Sequence, residues 1–492
     1  MRIRTQKLKS GSIAVQVVEY RDGITKFIKY VGSSKNDDEL LILKRTAQNF
    51  INHTLGQETL FDEKSEAKKF LLGNFKNLGT KYNFFAEEIN KILELLKLSE
   101  IPCPLLLHLT MARIFEPTSK LRSQKILAKY FEINYEITSL YKNLPGILSF
   151  KNVVEGKLIE FAKTRFGFDF SFVLYDVITL YFESFASDEF RKPGFSKDNK
   201  SNQPQIVVGL MVDNNGFPLT YSVFEGNKFE GKTFLPVIRG FQEKYNIKTF
   251  TVVADAAMIS WDNVQKLNES GLSYIVGARL GNLNHRLIAE IAQKLGQQEN
   301  ASLKLETDKG FLVCDFSQKR FNKDKSDMEK QINKAKLALE NKQTVKRHKF
   351  LTTDKIDATL NQALIDKTKL QLGIKGYYTN LILPNEQIIT RYHDLWKIEK
   401  SFRISKSDLL VRPVFHFKKA AIEAHILICM TALAVIKYVE IETNMSARNF
   451  VETLKDVTDA WIRNPRTGEE FFWRSEIPEG VKIMLNNLSK PH

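Results

Sequence analysis

The amino-acid sequence predicts an α/β protein in which a central sheet follows a mainly helical region and is interrupted by an inserted α+β segment. Three observations carry this reading. Residues 36–165 place apolar side chains at helical spacing. Residues 168–280 hold short runs rich in Val, Ile, Tyr and Phe, bounded by turn residues. Residues 282–370 turn basic and mixed before a strand and a helix resume.

A chain of 492 residues exceeds one ordinary core, so roughly two to four structural units are expected. The pattern divides into a basic β-hairpin at 1–35, a helical region at 36–165, a first part of the core at 166–281, the insertion at 282–370, a second part of the core at 371–445 and a C-terminal tail at 446–492. With 43% hydrophobic and 26% charged residues, the make-up is that of a globular protein. The 73 Lys and Arg against 57 Asp and Glu leave a net charge of +16, which favours a polyanionic partner, most simply nucleic acid. Cys103, Cys314 and Cys429 are far apart with no CxxC spacing, which argues against a zinc ribbon or a disulfide scaffold and fits a reducing cytoplasm. The N-terminal residues lack the apolar core of a signal peptide. The longest apolar run, Ala424 to Ile436, contains His425 and falls short of the roughly 20 residues that span a bilayer, so a buried helix and no membrane partner are expected.

Each element has its own warrant. Ile13–Tyr20 and Ile24–Val31 flank Arg21-Asp22-Gly23, a hairpin signal, behind a start that carries Arg2, Arg4, Lys7 and Lys9 and no acid. Helices are expected at Leu40–Leu55, Glu66–Phe75, Phe84–Leu98 and Pro104–Phe115, and again after the turn at Glu116–Lys120, where Lys120, Arg122 and Lys125 offer exposed bases. Such helices suit a DNA reader and equally any helical domain. Strands are expected at Phe170–Phe182, Ile206–Val212, Pro218–Phe224 and Lys248–Ala254, with a helix at Phe234–Tyr245, another capped by Ser260, and a further strand from Tyr274. Arg191–Gln203 reads as a polar loop. Ser317 to Lys349 holds eleven Lys or Arg against four acids, a solvated face or a phosphate-facing one. The core resumes with a strand at Gly376–Leu383, one helix through Arg391–Lys406, and a helix at Ala420–Tyr438 packed behind it. Three antiparallel strands, a helix and a further strand is the order of an RNase H-like core.

Three carboxylates stand out. Asp176 lies in Phe-Val-Leu-Tyr-Asp-Val-Ile-Thr-Leu-Tyr-Phe and Asp255 in Phe-Thr-Val-Val-Ala-Asp-Ala-Ala-Met, where an acid among buried β residues is costly unless something cationic pairs with it. Glu399 is a lone acid among bases: at about 100° per residue, Tyr392, Trp396, Glu399, Arg403 and Lys406 share one stripe, beside an apolar stripe of Leu395, Ile398 and Phe402. An ordinary amphipathic helix with i,i+4 ion pairs would look the same in isolation. Two such Asp with a helical Glu suit divalent metal ions. Neither a Gly-x-Ser-x-Gly elbow nor a Walker loop competes. His425 reads as a satisfied core histidine, and packing is the expected role of Trp261 and Trp396, with stacking on an extruded base the alternative.

Tyr392, Glu399 and Lys406 match the signature Tyr-x-x-Arg-x-x-x-Glu-x-x-x-x-x-x-Lys, and the chain thereby resembles the DDE-type transposases of bacterial insertion sequences, with Asp176 and Asp255 standing where that family has its first two acids. The resemblance runs over about residues 1 to 440 and departs at one place: Leu395 occupies the signature Arg position, where Arg391 or Arg403 could stand in. It implies an RNase H-like catalytic core using two Mg²⁺, or Mn²⁺, held by Asp176, Asp255 and Glu399, with Asp176 shared by both ions. It implies DNA contacts from Tyr392, Arg403 and Lys406. It further implies double-stranded DNA as partner, both terminal inverted repeats and target, and a homodimeric synaptic complex. The implied activity is cleavage at element ends and strand transfer into target DNA. The alternatives are a nuclease or resolvase with the same core, and a DNA-binding protein whose core is inactive.

Overall fold

Alternation in Arg2-Ile3-Arg4-Thr5-Gln6-Lys7 makes this stretch a strand, and the computed structural model pairs it with the expected hairpin. Strands β1 (Arg2–Lys7), β2 (Ile13–Arg21) and β3 (Ile24–Ser34) form an antiparallel three-stranded sheet rather than a two-stranded hairpin. The structure describes residues 1–21, 23–54, 75–184, 186–194, 202–228, 230–248, 250–256, 261–340, 348–353, 358–465 and 468–488. Helix α1 (Asp37–Thr54) carries Asp37, Asp38 and Glu39 in its first turn, where they complement the helix dipole. It packs Leu40, Ala47 and Ile51 against Val15 and Val17 of β2, so it shares a core with the sheet. The chain forms two compact units, Met1–Leu78 with Trp461–Phe471, and Gly79–Ala460 with Phe472–His492. Strand β4 (Lys76–Lys81) follows α1. The expected helix at Glu66–Phe75 lies outside the described residues except for its last position.

The larger unit begins with helices α2 (Asn83–Leu95), α3 (Pro104–Phe115), α4 (Lys120–Phe131), α5 (Ile137–Asn143) and α6 (Lys151–Phe166). Pro104 opens α3, Ser119 caps α4 by accepting from the Arg122 N–H, and Gly167 closes α6 in the left-handed region. One base is misread by sequence alone: Lys120 is buried, its Nζ 3.3 Å from Nδ1 of His425. A cation that follows a polar turn looks exposed in the sequence; here Lys120, with Ser123, lies on the side of α4 that faces the core, while Leu121 and Arg122 are exposed.

The sheet follows: β5 (Phe172–Tyr181), β6 (Gln205–Val212), β7 (Pro218–Glu225), helix α7 (Glu230–Lys244), β8 (Thr251–Ala254), α8 (Trp261–Glu269), β9 (Ser273–Ala278), α9 (His285–Leu295), β10 (Ser302–Thr307), β11 (Gly310–Phe316), α10 (Gln318–Glu340), short strands β12 (Leu351–Thr353) and β13 (Ala358–Leu360), α11 (Gln362–Leu370) and β14 (Ile374–Thr379). Eight strands join in the order β10-β11-β14-β9-β8-β5-β6-β7, with β8 parallel to both β5 and β9. Every residue of β6 is buried, as expected of a strand covered on both faces. Much of the expected loop at Arg191–Gln203, residues 195–201, lies outside the described residues.

The stretch expected as an insertion is divided. β10 and β11 extend the main sheet, β11 pairing with β14 from Phe311↔Thr379 to Phe316↔Ile374. Only the part between β11 and β14 projects, and its ends meet where the Ser317 N–H donates to the Gly373 carbonyl at 3.0 Å. It has its own small core of Met328, Ala335, Phe350, Leu351, Ile365 and Leu372.

After β14 the expected single helix is two, α12 (Asn385–His393) and α13 (Leu395–Ser407). The joint is Asp394, whose carboxylate holds Lys397 at 2.9 Å and whose backbone O accepts the Lys397 N–H in a tight turn at 2.9 Å. Helix α14 (Lys419–Thr443) is long and apolar enough to cross a membrane by length and composition, but 78% of its most apolar window is buried inside the protein, as befits the core helix that the sequence leads one to expect. The tail adds α15 (Ala447–Lys455), β15 (Asp459–Arg463), β16 (Glu470–Arg474) and α16 (Glu479–Leu488). Within the larger unit α16 buries Val481, Met484 and Leu488, and the Tyr438 hydroxyl of α14 donates to the Leu488 carbonyl at 2.8 Å.

Candidate active site

Parallel pairing puts the first two acids side by side. The β5/β8 register ends with Tyr175 opposite Ala254, so Asp176 and Asp255 are the next residues on adjacent chains. Asp176 stays in β5, half-buried, its Oδ1 accepting the Val177 N–H at 2.8 Å. Asp255 follows the end of β8 and is exposed, its Oδ1 accepting from the Ala256 N–H at 2.7 Å.

The third acid comes from α13, whose apolar stripe is buried as its spacing predicts: Leu395, Ile398 and Phe402 are 7%, 0% and 5% exposed. Glu399 then faces out, and with Asp176 and Asp255 it lines one groove of about 860 Å³. The β6–β7 turn fixes this helix on either side of the acid. Lys397 Nζ donates to the Asn214 carbonyl at 2.6 Å, and the buried Ser401 hydroxyl donates to the Gly216 carbonyl at 2.8 Å. Gly216 needs its positive φ of 79° for the turn, and a Cβ there would lie 3.0 Å from the Lys397 carbonyl oxygen.

Tyr392 is buried near the end of α12, and its hydroxyl donates to Asp255 Oδ1 at 3.2 Å. Gly277 on β9 makes the room, since a Cβ there would stand 2.5 Å from the phenol oxygen. Burial first, then the negative charges of Asp255, Glu399 and Asp176, push the phenol well above its ordinary pKa, so it remains a donor. All three carboxylates therefore act on one hydroxyl.

The groove also takes Arg403 and Lys406 from α13, with Trp396, 54% exposed, at its edge. Core packing, the expected role of Trp396, is not what the structure shows; the Trp261 side chain lies outside the described residues. Sequence reasoning passed over Lys375, Arg412, Tyr181 and His393, which line the same groove. Lys375 Nζ stands 4.5 Å above the Tyr392 ring, and burial together with Arg320 lowers its pKa against the pull of Asp315, Asp255 and Glu399. A lone Lys in the strand Ile374-Lys375-Gly376-Tyr377 is the same signal that singled out Asp176. The Arg412 guanidinium lies 4.8 Å from the Tyr181 ring centre. Leu395 leaves the signature Arg position apolar, and Arg391 does not replace it: its guanidinium is 4.5 Å from the Phe172 ring and 3.9 Å from Asp394. The cations on the groove itself are Lys375, Arg403, Lys406 and Arg412. His425, as expected, is a core residue, with Nε2 3.0 Å from the Val411 carbonyl.

The donor set is oxygen-rich and suits hard divalent cations. Among the described residues no three His, Cys, Asp or Glu converge closely enough to hold one ion together. Mg²⁺ is commonly held by one or two carboxylates, completed by water and substrate phosphate.

Comparison with curated proteins finds no match. Among solved structures, the chain is similar to a piggyBac transposase synaptic complex with hairpin DNA seen by cryo-electron microscopy, at 9% identity and a TM-score of 0.35, over 62% of this chain. The match spans 57% of that protein's length. The family described as "Transposase DDE domain" matches residues 154–435, more than half of the chain and the whole stretch that supplies Asp176, Asp255, Tyr392, Glu399 and Lys406. The chain belongs to the DDE-type transposase family.

Proposed function

We propose that the groove is the catalytic centre of a DNA transposase that cuts the ends of an insertion sequence and joins them to target DNA, using two divalent ions. The observation that carries the reading is the meeting of Asp176, Asp255 and Glu399 in one groove with Lys375, Arg403, Lys406 and Arg412. The sheet order supports an RNase H-like core: β5, β6 and β7 are antiparallel neighbours, and β8 returns parallel beside β5 to set the two Asp on adjacent strands.

Asp176 would hold both ions, with Asp255 and Glu399 each completing one. Bound Mg²⁺ or Mn²⁺ supplies activation of the attacking hydroxyl and stabilisation of the leaving oxygen in an in-line displacement. The chain's own groups do the rest. Tyr392, kept protonated, holds Asp255 in one rotamer through its hydrogen bond. Lys397 and Ser401 anchor the helix of Glu399 to the β6–β7 turn, limiting drift of the third acid. Arg403, Lys406 and Arg412 would grip phosphates and align the scissile bond, a task worth several kcal/mol when alignment is good. The partners are double-stranded DNA, as terminal inverted repeats and as target, and a second copy of the chain in a synaptic complex.

Transposition is distinguished from simple nuclease action by its product. The test is to incubate the full chain with Mg²⁺, a plasmid carrying the inverted repeats that flank the gene, and a second target plasmid. Joined products support the proposal; nicked and linear DNA alone would reduce it to a nuclease with the same core.

A further inference from the structure

The β1–β3 sheet has two faces: one packs on α1, and on the other Ala14 and Val18 of the central strand are buried while the large rings remain exposed. Val15 and Val17 pack on α1, and their cross-strand partners Thr5 and Ile3 lie on that side. Bulges at Val15/Gln16 and Val17/Val18 then send Ile28 and Val31 to the same side, where they join the α1 core. The opposite face carries Arg2, opposite Val18, and Arg4, opposite Gln16, on β1. On the other strands it carries Tyr20, Phe27 and Tyr30, which are 60%, 56% and 50% exposed. The Arg2 guanidinium lies 5.5 Å from the Tyr20 ring centre, which confirms that the two share a face.

Three large rings on an open sheet are an exposed apolar patch of the kind that marks a binding surface. Its charge points to an anion: residues 1–35 hold eight cations, Arg2, Arg4, Lys7, Lys9, Arg21, Lys26, Lys29 and Lys35, against two acids, Glu19 and Asp22. Among the described residues no acid lies on the open face, since Glu19, paired with Lys26, alternates to the other side from Tyr20. The rings discriminate between forms of nucleic acid. In a duplex the bases are already stacked on one another, so ring faces find only edges and sugars. An unpaired strand offers free base faces to rings, while its phosphates meet the arginines.

We propose that the open face of the N-terminal sheet binds single-stranded DNA, with Tyr20, Phe27 and Tyr30 stacking on unpaired bases and Arg2 and Arg4 neutralising the phosphates between them. None of these residues lines the acidic groove, and the site stands or falls by binding rather than by cleavage. The strand it takes is of the kind exposed when a DNA end is opened for cutting.

The test uses the full chain with chelator present, so that no cleavage intervenes, and reads fluorescence anisotropy of a labelled 30-nucleotide oligothymidylate and of a 30-base-pair duplex. The variant Tyr20→Leu/Phe27→Leu/Tyr30→Leu keeps apolar bulk and removes the rings. It should weaken single-strand binding by about tenfold or more, given the usual contribution of a stacked base, and leave duplex binding within about twofold. Arg2→Gln/Arg4→Gln should lower the slope of log affinity against log salt on the single strand by roughly 1.4, about 0.7 per phosphate. Thermal melting of both variants checks the fold. Unchanged single-strand affinity in a folded ring variant overturns the proposal. Equal losses on single strand and duplex also overturn it, and make the face a duplex contact. Loss of self-association in sedimentation, with both DNA affinities intact, overturns it in favour of an interface between copies.

Discussion

Lys406 is the sharpest probe of how the groove meets DNA. It lies two turns beyond Glu399 on α13 and lines the groove together with Arg403 and Arg412. The alternative is that Lys406 only pairs with a nearby acid such as Asp408 at the surface, which would contribute about 0–1 kcal/mol. A cation that neutralises one duplex phosphate contributes roughly 0.9 to the slope of log affinity against log salt. Lys406→Ala should therefore flatten the slope by about 0.9, which amounts to roughly a 3.5-fold smaller loss of affinity between 50 and 200 mM salt. Cleavage should fall further than binding, because a phosphate held loosely beside the acids is misaligned for in-line attack. The assay is anisotropy of labelled end DNA at several salt concentrations in chelator, beside the single-turnover cleavage rate in Mg²⁺. An unchanged slope with an unchanged rate would leave Lys406 as a solvated charge with no part in DNA contact.

Other positions follow from the same structure. Ser401→Ala removes the buried donor to the Gly216 and Lys397 carbonyls, at 2.8 and 3.1 Å, and should cost about 1 kcal/mol of stability in denaturant titration while slowing cleavage more than end binding. Deleting 285–368, most of the insertion that the sequence draws at 282–370, strips β10 and β11 from β14 and should give insoluble protein. Replacing 319–371 by a short turn keeps the Ser317–Gly373 hydrogen bond and should leave a cooperative thermal transition. Lys120 is buried beside Arg113, His416 and His425, and burial lowers its pKa from 10.5 to about 7. The unfolded chain therefore binds the extra proton between those values, so stability should rise from pH 7 towards 10, by at most about 1.4 kcal/mol per pH unit. Lys120→Met should remove that rise in urea midpoints and stabilise the protein at pH 7.

The three acids that meet in the groove were legible because their chemistry violates the pattern around them. An Asp inside Phe-Val-Leu-Tyr-Asp-Val-Ile and a lone Glu on a basic stripe both stand out against the cost of placing charge beside a core, and both lie in the groove. Lys375 and Arg412 escaped because one is a single base in a short strand and the other precedes a proline in an irregular stretch, where periodicity says nothing about direction. The break at Asp394 escaped because one residue in a tight helical turn, with φ −58° and ψ −14°, leaves the apolar spacing nearly intact. Strand partners are a tertiary property: nothing in Phe311–Phe316 says that it pairs with Lys375 and Tyr377 rather than closing a separate subdomain. The burial of Lys120 is of the same kind, decided by α14 some three hundred residues later.

The proposed metal-dependent catalytic site is built from Asp176, Asp255 and Glu399. It is tested most directly by Asp176→Ala, Asp255→Ala and Glu399→Ala, each assayed for cleavage of a labelled element end in Mg²⁺ and in Mn²⁺, and for binding of the same end in chelator. All three should lose cleavage with either ion while keeping end binding, because removing an acid does not weaken attraction to phosphate. A folded variant that still cleaves at the wild-type rate would take its residue out of the site.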